Sequence, residues 1–282
     1  MHLPTVLTAI TLLIACEAPP ASTRNDSSVA RTDGKSALVT RATQGSFAFA
    51  NSDGTRLLAL DSLPDPSTIR GALCSGAVAL TARYDHHATR QSGDNGRQVA
   101  ANFGNQQGDV FNVSGNKAIP DQTCYLSADS LLFARARAVT MRKPADCSSE
   151  QISRIAAAKR RQVIHCWDIA SAPTHIDVVA VQFADMDSAA LASIAVVRDS
   201  SLFFKDYPAV RHANDQSTWR VDDEGVFSPT GFDVLFVADL PDGFVIAITW
   251  AGAEGEDSEL LLAHPAGNLR TLIKGYRYQA PT

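Results

Sequence analysis

The sequence predicts a mainly β protein of antiparallel hairpins, arranged as a sandwich, a barrel or a partial propeller, with one helix near residues 148–160. Three observations carry that expectation. Short apolar runs recur with turn chemistry between them. Only one stretch carries a strong set of helix-capping signals. A chain of 282 residues with 45% hydrophobic and 20% charged residues has the composition of a packed domain.

The hairpins follow in chain order. Ser46-Phe47-Ala48-Phe49-Ala50 leads through Asn51-Ser52-Asp53-Gly54 into the apolar run 57–60, and Gly54 supplies the positive φ such a turn needs. The same unit recurs at 194–204 across Arg198-Asp199-Ser200-Ser201, and at 219–227 across Asp222-Asp223-Glu224-Gly225. It appears again at 234–248 across Pro241-Asp242-Gly243, and at 260–273 across Pro265-Ala266-Gly267-Asn268. The helix begins with Ser148 as N-cap and Gln151 three residues on, a capping box, with Glu150 in the first turn. Ile152, Ile155 and Ala156 share one face, and Lys159-Arg160-Arg161 complement the negative end of the helix.

The N-terminus has a different character. Residues 6–15 are uncharged and largely apolar, too short for the ~20 residues of a membrane-spanning helix but suited to a signal peptide. The n-region before them carries no Lys or Arg. The run closes in Leu13-Ile14-Ala15-Cys16, which resembles the lipobox of bacterial lipoproteins. The resemblance implies cleavage before Cys16 and lipid on its thiol. Glu17 stands where that family's inner-membrane retention signal is Asp, so the resemblance points to an outer membrane, facing the periplasm, in a cell with two membranes. From Glu17 to about residue 45 the chain is rich in Pro, Ser, Thr and Asp, too poor in large apolar groups to offset the entropy of ordering. The expected organisation is therefore a signal peptide over 1–15, a lipid-anchored flexible tether over 16–45 and a β-rich body over 46–282. A division of that body near 171–175 is left open.

Four cysteines remain in the body: Cys74, Cys124, Cys147 and Cys166. An even number in an exported chain reads as two disulfides with three possible connectivities. No pair has Cys-x-x-Cys spacing, which disfavours a metal site. The sequential pairing closes the smallest loops. For Cys147 and Cys166 it requires the strand after the helix to run straight back along it, because bonded Cα atoms lie within roughly 7 Å.

Composition excludes one broad class of function. A net charge of −5 without a clustered basic face gives no support to nucleic-acid binding. Tyr84-Asp85-His86-His87 resembles the motif of metal-dependent phosphoesterases named for Asp-His-His, but no companion Asp-x-Asp motif follows an N-terminal strand. Neighbouring strand residues also face opposite ways, so both histidines meet one ion only across a bulge. They read as loop histidines without a partner. Phe183-Ala184-Asp185-Met186-Asp187-Ser188 and Val237-Ala238-Asp239-Leu240-Pro241-Asp242-Gly243 resemble calcium-loop repeats of integrin-type β-propellers. Ala189 and Pro241 stand at ligand positions, so the resemblance implies a propeller-like unit without its metal. Glu254, Glu256, Asp257 and Glu259 read as a solvated acidic loop. There is no Gly-x-Ser-x-Gly, Walker-type or dinucleotide glycine pattern.

The sequence thus implies no cofactor and no metal. Two readings of function stay open. In the first, an envelope lipoprotein has a binding or structural role, with the membrane as one partner through its lipid and a protein, glycan or small ligand as the other. In the second, an envelope hydrolase assembles its site from scattered groups, with His86, His87, His165 and His175 as candidates. The absence of catalytic motifs favours the first.

Overall fold

The structure, a computed structural model, describes residues 44–173, 175–211, 219, 227–240, 243–252 and 254–279. The signal-like segment, Cys16, nearly all of the tether and the turn at 222–225 lie outside the described residues. The rest is mainly β and forms two sheets.

The first sheet is a closed six-stranded barrel. Its strands are β1 (Ser46–Ala50), β2 (Arg56–Ala59), β3 (Gly71–Cys74), β4 (Val78–Ala88), β5 (Gly108–Ser114) and β6 (Thr123–Ser127). They run antiparallel in the order β1-β2-β5-β4-β3-β6, with β6 pairing back onto β1. A barrel of so few strands is narrow, and its interior takes small side chains: Ala48, Ala50, Ala59, Ala72 and Ala82 pack there around Leu57, Phe111 and Leu126. Strand alternation turns Phe47 and Phe49 of β1 outward, yet both are fully buried, each covered by other parts of the chain.

A short helix, α1 (Ser130–Arg135), leads from the barrel into a ten-stranded sheet. Its strands are β7 (Ala136–Arg137), β8 (Thr140–Asp146), β9 (Val163–Ala172), β10 (Ile176–Phe183), β11 (Ala189–Arg198), β12 (Ser201–Val210), β13 (Phe232–Leu240), β14 (Gly243–Ala251), β15 (Gly255–His264) and β16 (Asn268–Tyr278). Their order is β7-β13-β14-β15-β16-β12-β11-β10-β9-β8. Consecutive strands β7 and β8 therefore occupy opposite edges of the sheet. Arg137 and Thr140 are three residues apart, and so much chain spans at most about 11 Å. A flat sheet of this width cannot satisfy that link, so the sheet curls until its edges approach. Its concave face holds one core shared by strands from both ends, with Ile169 and Ala170 of β9 in the same cluster as Val234 and Val237 of β13.

Both faces of this sheet are covered, which explains apolar runs such as Val178-Val179-Ala180-Val181, buried throughout. On the convex face of β9–β12 lies the helix α2 (Ser149–Lys159), whose Ile155 is fully buried among Val179, Val181 and Phe204. The capping box of Ser148 and Gln151 forms as the sequence implies. Arg160 caps the other end in a left-handed conformation, while Lys159 reaches Asp206 at 2.6 Å and lies over the Phe204 ring.

The convex face of β13–β16 docks on the barrel. Phe47, Leu73 and Tyr125 meet Leu235, Phe236, Val245 and Leu260 there. Gly275 of β16 permits the close approach, since a Cβ at that position would lie 3.2 Å from the Phe47 Cβ. Arg277 crosses the same boundary and is 1% exposed. All five of its N–H groups are used: Nε and Nη2 donate to the Gln98 carbonyl, Nη1 to the Asp121 carbonyl and to Thr123 Oγ1, and Nη2 also to Asp121 Oδ1 at 2.7 Å. Its guanidinium lies 4.9 Å from the Phe49 ring.

Two disulfides join Cys74 to Cys124 and Cys147 to Cys166. The first links facing residues of β3 and β6. The second works because β9 runs back toward the start of α2, so that the Cys147 N–H donates to the Cys166 carbonyl at 3.1 Å. Such bonds mark an oxidising, exported environment. No helix among the described residues is long and apolar enough to cross a membrane. The segment near 171–175 is no sheet boundary: β9 and β10 pair on either side of it, and the change of sheet falls at α1.

Two expectations follow. Replacing Cys147 and Cys166 together with serine should cost about 2–4 kcal/mol, read as a lower urea midpoint that reductant no longer shifts at this bond. Arg277→Met should cost about 1–3 kcal/mol because the Gln98 and Asp121 carbonyls and Thr123 Oγ1 lose their donor, while the half-exposed Asp121 carboxylate is left to water. Arg277→Lys should recover little of that, since an ammonium cannot reproduce the planar fork, and thermal unfolding would measure both.

Candidate functional site

Beside the seam between β12 and β16 the concave face opens. The two strands share a single parallel bridge, Phe204 with Asn268, and then diverge. The gap is a cleft of about 290 Å³ lined by Lys205, Asp206, Tyr207 and Pro208 of β12, Ile248 and Trp250 of β14, Asp257 and Glu259 of β15, Lys274 of β16, and Trp219.

Strand register explains why these side chains meet. Glu259 faces Ile248 on one side and Lys274 on the other, and Asp257 faces Trp250 and Tyr276. Residues two apart on a strand share a face, so β15 presents two carboxylates to the cleft. Lys205 Nζ donates to Glu259 Oε1 at 2.8 Å and to Thr271 Oγ1 at 2.8 Å, and Thr271 Oγ1 donates to the same carboxylate oxygen at 3.2 Å. Lys274 Nζ stands 3.5 Å from Asp257 Oδ1. The aromatic wall is a cluster of its own. Tyr207 packs edge-on against Trp250 at 4.9 Å, Trp250 stacks on Phe232, and the Trp219 indole N–H donates to the Tyr207 carbonyl at 2.8 Å. Burial, reinforced by the charges of Glu259 and Asp257, holds the Tyr207 phenol well above its ordinary range, so it stays protonated and neutral.

The acidic run therefore departs from the solvated loop expected of it. Glu256, Asp257 and Glu259 belong to β15, Glu259 is buried, and Glu256 Oε1 accepts a hydrogen bond from Thr123 of the barrel. A charge run usually marks a solvated face, and the partners that engage this one, Thr123 and Lys205, lie far along the chain.

The histidines sit elsewhere. His86 and His87 lie within β4, not in a loop, and each has a partner. His87 Nδ1 is 2.8 Å from Oδ1 of the buried Asp109, directly across the β4–β5 pair, and Asp109 Oδ2 accepts the Leu63 N–H. His86 Nδ1 is 2.8 Å from Asp85 Oδ2. A bulge between Tyr84 and His86 does interrupt the register there. His165 stacks on Trp167 of the same strand. His175 takes a positive φ between β9 and β10 and lines a surface hollow with Glu150, Arg154, Asp177 and Asp199. The structure thus brings none of the four together. Among the described residues no group of three or more His, Cys, Asp or Glu is placed to hold a metal ion. The two calcium-loop-like segments fall at hairpin ends of the ten-stranded sheet, where Asp185 pairs with Arg211 and Asp239 with Arg198.

Comparison of the chain with family models, curated proteins and solved structures finds no match.

Glu256 generates a pH-dependent prediction. Burial raises its pKa above the ordinary 4.5, outweighing the Thr123 hydrogen bond and the Arg277 charge that lower it. A carboxyl with a raised folded value adds stability that is complete below pH 4.5 and is lost as pH rises through that value. Glu256→Gln keeps an oxygen for Thr123 and removes the cost of the charge. The variant should match the parent in acid and equal or exceed it at neutral pH in urea denaturation. A variant weaker only at neutral pH would contradict this account.

Proposed function

We propose that the chain is a lipoprotein of a bacterial cell envelope, held by lipid on Cys16, whose β body has a binding or structural role. The single observation that carries the binding reading is the cleft beside the β12–β16 seam. It combines an aromatic wall, two lysines and three carboxylates in a volume suited to a small ligand or one unit of a larger one. None of the four candidate histidines lines it. Support for the anchor comes from Leu13-Ile14-Ala15-Cys16 after a signal-like run and from the Pro/Ser-rich tether that follows. The disulfides agree with an exported body. With Glu17 after the cysteine, the outer membrane is the destination in a cell that has two, and the body faces the periplasm.

One observation favours the second reading. His87 is oriented through Nδ1 by a buried carboxylate, Asp109, as a general base is in many hydrolases, although neither lines a described cleft.

Expressed in a bacterial host, the full chain should partition into detergent, and Cys16→Ser should move it to the aqueous phase. Several acyl chains anchor stably where one does so only marginally. A Cys16→Ser protein that still partitions would remove the lipid anchor. Against ester, phosphate ester, peptide and glycoside substrates, with and without divalent metal, the full chain should show no turnover. Hydrolysis that disappears in His87→Ala or Asp109→Asn would replace the binding reading with the hydrolase.

A further inference from the structure

We infer that the cleft takes a neutral, polyhydroxylated ring, a sugar unit, and this deepens the binding reading on which it rests. The first argument is charge. Each of the three carboxylates that line the cleft already has an ammonium partner: Glu259 has Lys205 at 2.8 Å, Asp257 has Lys274 at 3.5 Å, and Asp206 has Lys159 at 2.6 Å. Lys205 is 19% exposed and Glu259 only 9%, so their pair sits where water screens it weakly. An anionic ligand would have to draw a lysine from its carboxylate, and a cationic one the reverse. Either leaves a partly buried charge behind, which is costly. A neutral ligand disturbs none of these pairs.

The second argument is hydrogen-bonding capacity. Both bonds to the Glu259 carboxylate fall on Oε1, from Lys205 and Thr271, and Oε2 carries none. Lys274, whose side chain is 61% exposed, holds Asp257 only loosely, and an ammonium has three protons to give. The cleft thus offers a charged acceptor and a charged donor on adjacent strands, facing each other in register at Glu259 and Lys274. A hydroxyl both donates and accepts. Neighbouring hydroxyls on one ring can meet such a pair together, and hydrogen bonds to charged groups are the stronger kind.

Shape supplies the third argument. Tyr207, Trp219 and Trp250 form one wall, and the indole N–H of Trp219 is committed to the Tyr207 carbonyl, which fixes that ring and leaves its carbon surface as what it offers. A sugar ring has an apolar C–H face that packs on such a surface while its hydroxyl edge points away. The volume of about 290 Å³ lies at the small end of ligand sites, room for one ring.

The test uses the full chain in a detergent without a sugar headgroup and reads tryptophan emission. Of the three tryptophans, Trp219 and Trp250 line the cleft and Trp167 does not. Trp167→Phe therefore isolates the signal. Probes are glucose, galactose, N-acetylglucosamine and its linear tetramer, with glycine, lysine, glutamate and inorganic phosphate as charged comparisons. Saturable change is expected with at least one neutral sugar, weakened about tenfold in Lys274→Ala, an exposed position whose loss spares the fold, and in Glu259→Gln. Preference for the tetramer over the single sugar would assign the site to a glycan chain, and equal binding to a free sugar. Saturation by a charged probe alone would overturn the sugar assignment and keep the binding reading. No saturation by any probe, with unchanged circular dichroism, would overturn both.

Discussion

Arg277 is the constraint on which the two-sheet arrangement depends. A guanidinium at 1% exposure is tolerable only when every N–H has an acceptor, and the acceptors come from the barrel strand β6, the turn before it and the Gln98 loop. None of these belongs to the sheet that carries Arg277. The residue can be satisfied only if β16 lies against the barrel in one register. Neighbouring bonds reinforce that register, since the Gln98 N–H donates to the Tyr278 carbonyl and the Tyr278 N–H to Gln98 Oε1. The apolar contact of Phe47, Tyr125 and Phe236 supplies most of the attraction between the sheets, but it is non-directional. Arg277 and the Glu256–Thr123 bond give it a direction.

The curl of the ten-stranded sheet follows from a second constraint, the short link from β7 to β8. It forces the edges together, while docking on the barrel fixes one convex half and α2 covers the other. Something must yield between the two halves. The halves meet at β12 and β16, the sole parallel pair among the named strands, and there the ladder shrinks to one bridge. Lys205 spans the divergence with its side chain, reaching Glu259 and Thr271 in place of backbone bonds. The cleft is thus a product of how two well-paired half-sheets are joined, and its polar lining repairs the seam.

What could be read in the sequence divides along the same line. Hairpins were legible because their evidence is local. The runs around 198–201 and 264–268 pair across the turns their residues imply, and the strands 232–240 and 243–251 pair with each other as expected. The helix was legible through Ser148 and Gln151. The barrel left a fainter trace, because its interior positions at Ala72, Ala82 and Cys124 are small and show no strong apolar alternation. The cleft was misread for a related reason. Glu256 and Glu259 look solvated until Thr123 and Lys205 are placed beside them, and those partners lie 133 and 54 residues away. His87 was misread because Asp109 reaches it only across the ladder.

The groups that line the cleft differ in kind from the histidine–carboxylate pairs of the barrel. General acid–base work needs a group that exchanges its proton near the operating pH and faces the substrate. In the cleft the Tyr207 phenol is held neutral by burial and by the two carboxylates near it. Glu259 is engaged by a lysine and a hydroxyl, both of which donate to its Oε1. These groups donate and accept hydrogen bonds in positions fixed by the register of adjacent strands. Two histidine–carboxylate pairs, His87 with Asp109 and His86 with Asp85, belong to the barrel, on the other sheet from the cleft. The fold thus holds these pairs and the cleft in different sheets.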